Sequence, residues 1–438
     1  MDDRTALLFA QSDYRVLDVV LEPDGGRRVL VESVADEGGC PACGVMSGLI
    51  KDRPTSQVKD LPHGPVPMRR QVRKRRFTCA QRLCPRRSFT ETTVQLPARA
   101  RIATRLKVWV TAAVTTTNRA VSEVASNHGI AWGTVHRILV RAAADVLGQA
   151  ESTTMIGIDE TRARNVRWTQ QQDETVSGST LTWRRSNPWM TSIVDLDRTH
   201  RGGIIGLAAG RSGACVEGWL RLQTNEFRAA VTVVAIDPSA PYAAGIRRAL
   251  PDARIVLDHF HLVMLGNAMV TDVRQRALRE HFGRRGMKVD PAWAHRRLLL
   301  RGGDQLSPKA LARLKAVMSA DSTTGEIGAA WACKELLLRQ LLGAHGPTRY
   351  SRHETAHRRT RFLSACATAN MPETTRLAGT VEKWWPEIEA FLELGVTNAR
   401  TEGCNRVIKQ IKRVACGFRN QDNYERRIML HSAALRAA

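Results

Sequence analysis

Three acids stand where short apolar runs end or where a basic helix begins. "TMIGIDE" finishes in Asp159 and Glu160, "VTVVAID" finishes in Asp237, and Glu402 heads "TEGCNRVIKQIKRVACGFRN", a stretch otherwise rich in Lys and Arg. Cleavage or transfer at a phosphodiester needs an activated nucleophile and a stabilised leaving oxygen, and two divalent ions held by carboxylates supply both. Mg²⁺, or Mn²⁺ in its place, takes a few carboxylates plus water and the substrate phosphate, which suits a three-acid site. A lone acid among cations then has a reason: Glu402 holds metal while its neighbours hold DNA. The plainer reading of each acid is a strand-end cap, or for Glu402 an acid favouring a helix N-terminus.

The acids must be brought together by the elements that carry them. Along residues 151–262 the pattern gives three strands, a helix, a strand, a helix and a strand, the order of a ribonuclease H-like fold, which sets the ends of its first and fourth strands side by side. Asp159 and Asp237 occupy those ends. Neighbours in a strand face opposite sides, so only one of Asp159 and Glu160 can look into a given site. Asp258, which closes "ARIVLD", is a rival for the second acid. Asp195 and Asp197 are weaker, because they sit at an expected hairpin turn near Gly202.

Residues 263–392 read as an all-helical insertion, with Trp293, Trp331 and Trp384 as core anchors and breaks at "GAHGPTRYS" and "MPET". Residues 393–438 return to the core as helix. There Glu402, Asn405, Lys409, Lys412 and Arg413 recur at three- and four-residue steps along one side. Glu402 then points to the strand-end acids, while Lys409, Lys412 and Arg413 point along DNA.

Residues 1–100 carry a second constellation. Cys40 and Cys43 stand in "GGCPACG", and Cys79 and Cys84 in "FTCAQRLCPRRSF". Two short Cys pairs match tetrahedral coordination of Zn²⁺ by four thiolates, so a zinc ribbon is expected here. Between them "MRRQVRKRRFTC" places Arg73, Lys74, Arg75 and Arg76 on a face that is either merely solvated or contacts phosphate.

Residues 101–150 read as a helix-turn-helix. Ile102, Leu106, Trp109, Val110 and Ala113 fall at helical spacing, and two further amphipathic stretches break at Gly129. The core face takes Val121, Val124, Ala125, Val135, Ile138 and Leu139. Trp132, Thr134, His136 and Arg137 are left outward on the second helix, where they could meet bases or phosphates.

Composition agrees with a polyanion as partner. In 438 residues, 66 Lys and Arg oppose 42 Asp and Glu, a formal net charge of +24. Such an excess concerns partners rather than fold. Nucleic acid leads, with an anionic membrane surface second. The first twenty residues lack a signal-peptide pattern and runs such as "VWVTAAV" are too short to span a bilayer, so a soluble, intracellular protein is expected. Nine cysteines fit reduced thiols or metal ligands better than a disulfide framework.

The stretches "CPACG", "DLPHGP", "RKRRFTCAQRLCPRRSFTE", "IGIDE", "AIDPSAPYAAGIRRALPDARIVLDHFHLV" and "TEGCNRVIKQIKRVACGFRNQDNYERRIML" carry a family likeness. Over nearly its whole length the chain resembles DDE transposases of the ISL-three insertion-sequence family. The resemblance implies a multidomain α+β protein: a zinc-binding domain, a helix-turn-helix, and a ribonuclease H-like core interrupted by a helical insertion. It assigns the catalytic acids to Asp159, Asp237 and Glu402, and gives Asp258 and His261 in "DHFH" a supporting part. Pro238 and Ser239 depart from the family pattern after the second acid. The implied activity is metal-dependent cleavage and transfer of DNA at terminal inverted repeats, by a dimer or larger assembly in the bacterial cytoplasm beside the nucleoid. A DNA-binding regulator that has lost catalysis is the rival expectation, and a structure-specific nuclease without strand transfer is a third.

Overall fold

A computed structural model describes residues 13–62, 68–148, 150–172, 181–199, 201–321, 324–343 and 351–437. The readings made on residues 1–12, on the end of "DLPHGP" and on most of "GAHGPTRYS" lie outside the described residues. The chain divides into two compact units, Met1–Gly148 with Gln410–Ala438, and Gln149–Lys409.

The first unit opens with strands β1 (Tyr14–Leu21), β2 (Arg27–Ser33), β3 (Gly38–Gly39), β4 (Met46–Ser47), β5 (Ile50–Asp52), β6 (Thr55–Val58), β7 (Met68–Arg73), β8 (Arg76–Thr78) and β9 (Ser88–Thr90). One sheet runs β1-β2-β7-β6 and a smaller one β5-β8-β9. Alternation turns Val29, Val31, Val58 and Val72 to one core with Tyr14 and Leu96.

One expectation is corrected here. Arg75 is not on a solvated face: it is 2% exposed, with Glu32 at 3.7 Å and Asp36 at 3.5 Å. Arg73 also reaches Glu32 (3.1 Å), and Arg76 reaches Asp52 (3.4 Å). Within this basic run Arg75 is buried in the turn between β7 and β8, whereas Arg73 and Arg76 stay partly exposed beside their acidic partners.

Three helices follow, α1 (Thr104–Thr115), α2 (Val121–Asn127) and α3 (Trp132–Val146). Leu106, Val110, Val124, Val135 and Leu139 form their core, and Leu430 from the C-terminal end of the chain joins it. Gly129 sits in the turn with φ +54°, a left-handed conformation that favours glycine. Trp109 departs from its expected core position. It lies at the surface, edge-on to His128 and under Arg119.

The second unit is built on strands β10 (Met155–Arg162), β11 (Trp168–Gln172), β12 (Leu181–Arg185), β13 (Trp189–Asp195) and β14 (Gly203–Ala209), helices α4 (Gly213–Arg221) and α5 (Asn225–Ala230), strand β15 (Val233–Ile236), helix α6 (Ala240–Ala249) and strand β16 (Arg254–Leu257). Its five-stranded sheet has the order β14-β13-β10-β15-β16. The first three strands pair antiparallel, and β10, β15 and β16 run parallel. The antiparallel ribbon β11–β12 was not anticipated; its Trp168 and Trp183 are exposed.

Helix α7 (His259–Phe282) begins directly after β16. Among the described residues the segment up to Leu394 is helical, ending in α8 (Pro291–Ala294), α9 (Pro308–Ala320), α10 (Glu326–Glu335), α11 (Arg352–Ala369), α12 (Pro372–Lys383) and α13 (Trp385–Leu394). These helices share one continuous apolar core with the sheet, from Ile156 and Val234 to Leu337 and Val381. Trp384 is buried in it, while Trp293 and Trp331 are half-buried against it. Two further helices follow, α14 (Ala399–Val414) and α15 (Gln421–Ala437), and the division between units falls inside α14. No described helix is long and apolar enough to cross a membrane.

Candidate active site and nucleic-acid interface

Strands β10 and β15 pair in parallel up to Ile158 opposite Ile236; the residues that follow are Asp237, just past the end of β15, and Asp159, which lies within β10 and not at its end as expected, because β10 continues along β13 to Arg162. Two carboxylates on adjacent strands crowd one another. Burial raises the pKa of Asp159, with Glu402 adding to the effect. Burial and the Asp159 charge together push Asp237 up to about 7.

His261, in the first turn of α7, answers part of that cost. Its Nε2 lies 3.1 Å from Asp237 Oδ2 and its Nδ1 3.7 Å from Asp258 Oδ2. Asp258 raises the pKa of His261 against the opposing effect of burial, with Asp237 and Asp159 assisting. Burial resists ionisation of Asp258, but His259 and His261 outweigh it and hold this carboxyl well below the usual range. A Asp237–Asp258–His261 cluster results, its ligand atoms within 4.8 Å of one another. Asp159 and Glu402 are not part of that cluster.

Two amides from the far end of the chain hold the acids. Asn405 on α14 donates to Asp159 Oδ2 (2.7 Å) and accepts from Ser192 Oγ on β13 (2.9 Å). The other Asp159 oxygen accepts from the backbone NH of Glu160 (2.7 Å). Asn398, fully buried, donates at 3.4 Å to Asp237 Oδ1 and to the carbonyl of Ile158. The expected single side of α14 is thus split: Asn405 is buried against Asp159 while Lys409 and Arg413 are exposed, and Asn398, ahead of the helix, belongs to no sequence pattern.

Gly157 shows why this segment can come so close. A Cβ there would stand 2.1 Å from Thr401 Oγ1 and 2.6 Å from Asn398 Oδ1. Only a residue without a side chain lets the start of α14 lie on β10. On that helix Thr401, Asn405 and Ile408 face inward, Glu402 is 40% exposed with Arg406 4.0 Å away, and Lys409 and Arg413 are exposed. Asp195 and Asp197 are structural: they accept hydrogen bonds from Thr153 (2.6 Å) and Thr154 (2.5 Å) beside the turn.

In the first unit the four cysteines expected to bind metal meet. Cys40 and Cys84 sulfurs are 3.8 Å apart, Cys43 and Cys79 sulfurs 3.6 Å, and all four fall within 4.8 Å. Zn–S bonds of about 2.3 Å in a tetrahedron put sulfurs about 3.8 Å apart, so the set fits a zinc ion. The backbone NH of Ala42 lowers the Cys40 thiol to about 7.

The basic side chains fall into distinct places. Lys74, half-buried, lines a cleft of about 690 Å³ with Lys59, Arg99 and Arg101, three cations the sequence reading had not singled out. On α3, Trp132 and Arg137 are exposed, His136 stacks on Trp132 (5.1 Å between ring centres), and Thr134 accepts from Arg137 (3.2 Å). Lys412 is half-exposed.

A family model described as transposase, for the DDE type and ISL-three group, matches residues 156–428. Two curated proteins are similar, each a "Transposase for insertion sequence element IS1557", from Mycobacterium tuberculosis strains CDC 1551 / Oshkosh and ATCC 25618 / H37Rv. Both are 24% identical over 316 residues, which is 66% of this chain. The match spans 63% of the length of each of those relatives.

Proposed function

The chain belongs to the ISL-three family of transposases, and from that premise we propose that it cuts DNA at the ends of an insertion sequence and joins the freed strand to target DNA. The observation that carries this reading is that Asp159 and Asp237 directly follow the Ile158–Ile236 pair of the adjacent parallel strands β10 and β15, with Glu402 close enough to raise the pKa of Asp159.

Asp159, Asp237 and Glu402 are the catalytic acids and the ligands of Mg²⁺ or Mn²⁺. Divalent ions, when bound there, supply charge for the attacking and leaving oxygens. Asp237 must give up its proton to act as a ligand, and His261 favours that ionised form. Asp258 favours the charged form of His261 and orients it, so both are positioning residues. Asn398 and Asn405 fix the rotamers of Asp237 and Asp159, which leaves less reorganisation for the reacting state. The fold around them is ribonuclease H-like, with the helices between α7 and α13 as its insertion.

Recognition of the ends falls to the first unit. Helices α2 and α3 form a helix-turn-helix that offers Trp132, Thr134, His136 and Arg137 to the major groove. The four cysteines hold Zn²⁺ in a ribbon. Arg73, Lys74 and Arg76 beside it, and Lys409, Lys412 and Arg413 on α14, neutralise phosphates, which positions DNA without reading it. Strand transfer needs two ends held together, so the working form on DNA is a dimer or larger assembly.

The test is cleavage of a labelled duplex bearing the element's own end, with Mg²⁺, by the intact protein, Asp237→Asn and Asp258→Asn. Cutting that vanishes in Asp237→Asn and is reduced but present in Asp258→Asn supports the reading. Tight end binding without cutting by the intact protein would replace it with a DNA-binding regulator.

A further inference from the structure

A cavity of about 410 Å³ opens in the first unit between the start of α2, the exposed side of α3 and the loop that joins α14 to α15. Its size is that of small-ligand clefts, about 300–1,000 Å³. The wall is mostly apolar: Val121, Leu139, Val140, Val414, Phe418 and Leu430 contribute to it. Its aromatic edges are Trp132, 53% exposed and stacked with His136, and Phe418, stacked on Tyr424 with ring centres 4.7 Å apart.

The charge around this apolar hollow has one sign. Arg119, Arg419, Arg426 and Arg427 line it, and among the described residues no Asp or Glu does. Arg119 is engaged by Glu123, but Arg427 is different. It is 7% exposed, and its Nη2 donates to Asn118 Oδ1 (3.1 Å) and to the Arg119 carbonyl (2.9 Å). Among the described residues its Nε and Nη1 are buried with no partner. Burial lowers its pKa to about 10, still charged at neutral pH. A buried cation with two idle donors is costly unless a ligand supplies acceptors. The loop is also strained: Cys416, a non-glycine residue, has φ 53°, a conformation that recurs where function over-determines the backbone.

We propose that this cavity binds one unpaired nucleotide of DNA, its base between the apolar wall and the aromatic edges and its acceptors on Arg427. A base still stacked in the duplex cannot place its faces against this wall and the aromatic edges, so the occupant is a flipped base or a single-stranded end. The flat aromatics and apolar wall suit a base, and the surrounding arginines suit the phosphates on either side of it. This inference rests on the reading that the first unit binds DNA, and it adds a site that recognises distorted or frayed ends rather than sequence in the groove.

The test compares a blunt 20-base-pair duplex with the same duplex carrying a four-nucleotide 3′ tail, by fluorescence anisotropy with the full chain. The intact protein is expected to bind the tailed duplex about tenfold more tightly, the scale of one stacked base. Val140→Trp, which fills the cavity, and Phe418→Ala should keep blunt-duplex affinity and lose the preference. A second measurement needs no variant: the tailed duplex should slow alkylation of Cys416, mapped by mass spectrometry, while Cys215 reacts at its free rate. Blunt binding with no tail preference and no protection of Cys416 overturns the cavity alone. A preference that survives in both folded variants overturns it as well. Failure to bind either duplex overturns the DNA-binding reading on which it rests.

Discussion

Asn405 donates a 2.7 Å hydrogen bond to Asp159 from a position 246 residues further along the chain. With the Glu160 amide on the other oxygen, the Asp159 carboxylate is held at both ends, and its remaining lone pairs keep a fixed direction. Removing the amide should cost activity without unfolding the protein. Asn405→Ala is expected to lower the cleavage rate by about 10–100-fold, as for other residues that orient metal ligands. Asn405→Asp should do worse, since a second carboxylate would face Asp159. Single-turnover cleavage against Mg²⁺ concentration checks both, with a circular dichroism melt as the folding control; full activity in Asn405→Ala would remove the amide from the site.

The pKa of Asp237 near 7 gives a pH signature. Without metal, the folded protein holds this proton while the unfolded chain, with an ordinary carboxyl, has released it. Stability therefore falls as pH rises from about 4 to about 7 and does not recover above that range. Asp237→Asn should raise the metal-free Tm at pH 8 by a few degrees and change it much less at pH 5. Mn²⁺ affinity of the intact protein should rise between pH 6 and pH 8, because the ion competes with that proton. Calorimetric titration at three pH values measures it, and a flat profile would contradict the shift.

Gly157→Ala tests how tightly α14 lies on β10. The added methyl meets Thr401 and Asn398, both buried, so neither can swing away cheaply. We expect a loss of about 1–3 kcal/mol in stability together with lower cleavage, read by denaturant unfolding and by the duplex assay. A variant that is fully stable would mean the helix start can shift.

Metal content should follow the cysteines. The intact protein is expected to carry one zinc per chain, and Cys79→Ser or Cys84→Ser to carry none. The small β5-β8-β9 sheet has little core beyond Phe77, Phe89, Cys40 and Cys84, so its order depends on the ion. Elemental analysis with limited proteolysis of the first hundred residues checks this, and zinc retained in both variants would exclude the four-thiolate site.

Much of this architecture could be read in the chain, because period and punctuation are local. The apolar runs that end in Asp159, Asp237 and Asp258 are strands or strand ends, the α1–α3 spacing is helical, and Gly129 turns the chain where expected. What escaped depends on tertiary neighbours. Arg75 looks like surface charge until Glu32 and Asp36 are placed beside it. Asn398 and Asn405 are single polar letters whose meaning comes from carboxylates more than 150 residues away. The β11–β12 ribbon has no buried face described, so it lacks the apolar alternation that betrays a strand.

The reach of Asn398 and Asn405 back to β10 and β15 also orders events in time. A ribosome that has released the sheet and all the helices before α14 has produced Asp159 and Asp237, but neither amide that holds them nor Glu402. Long-range closure of this kind comes late in folding. On the proposed reading, a nascent chain or a fragment truncated before residue 398 would carry Asp159 and Asp237 but neither amide that holds them, and would be inert until α14 has docked.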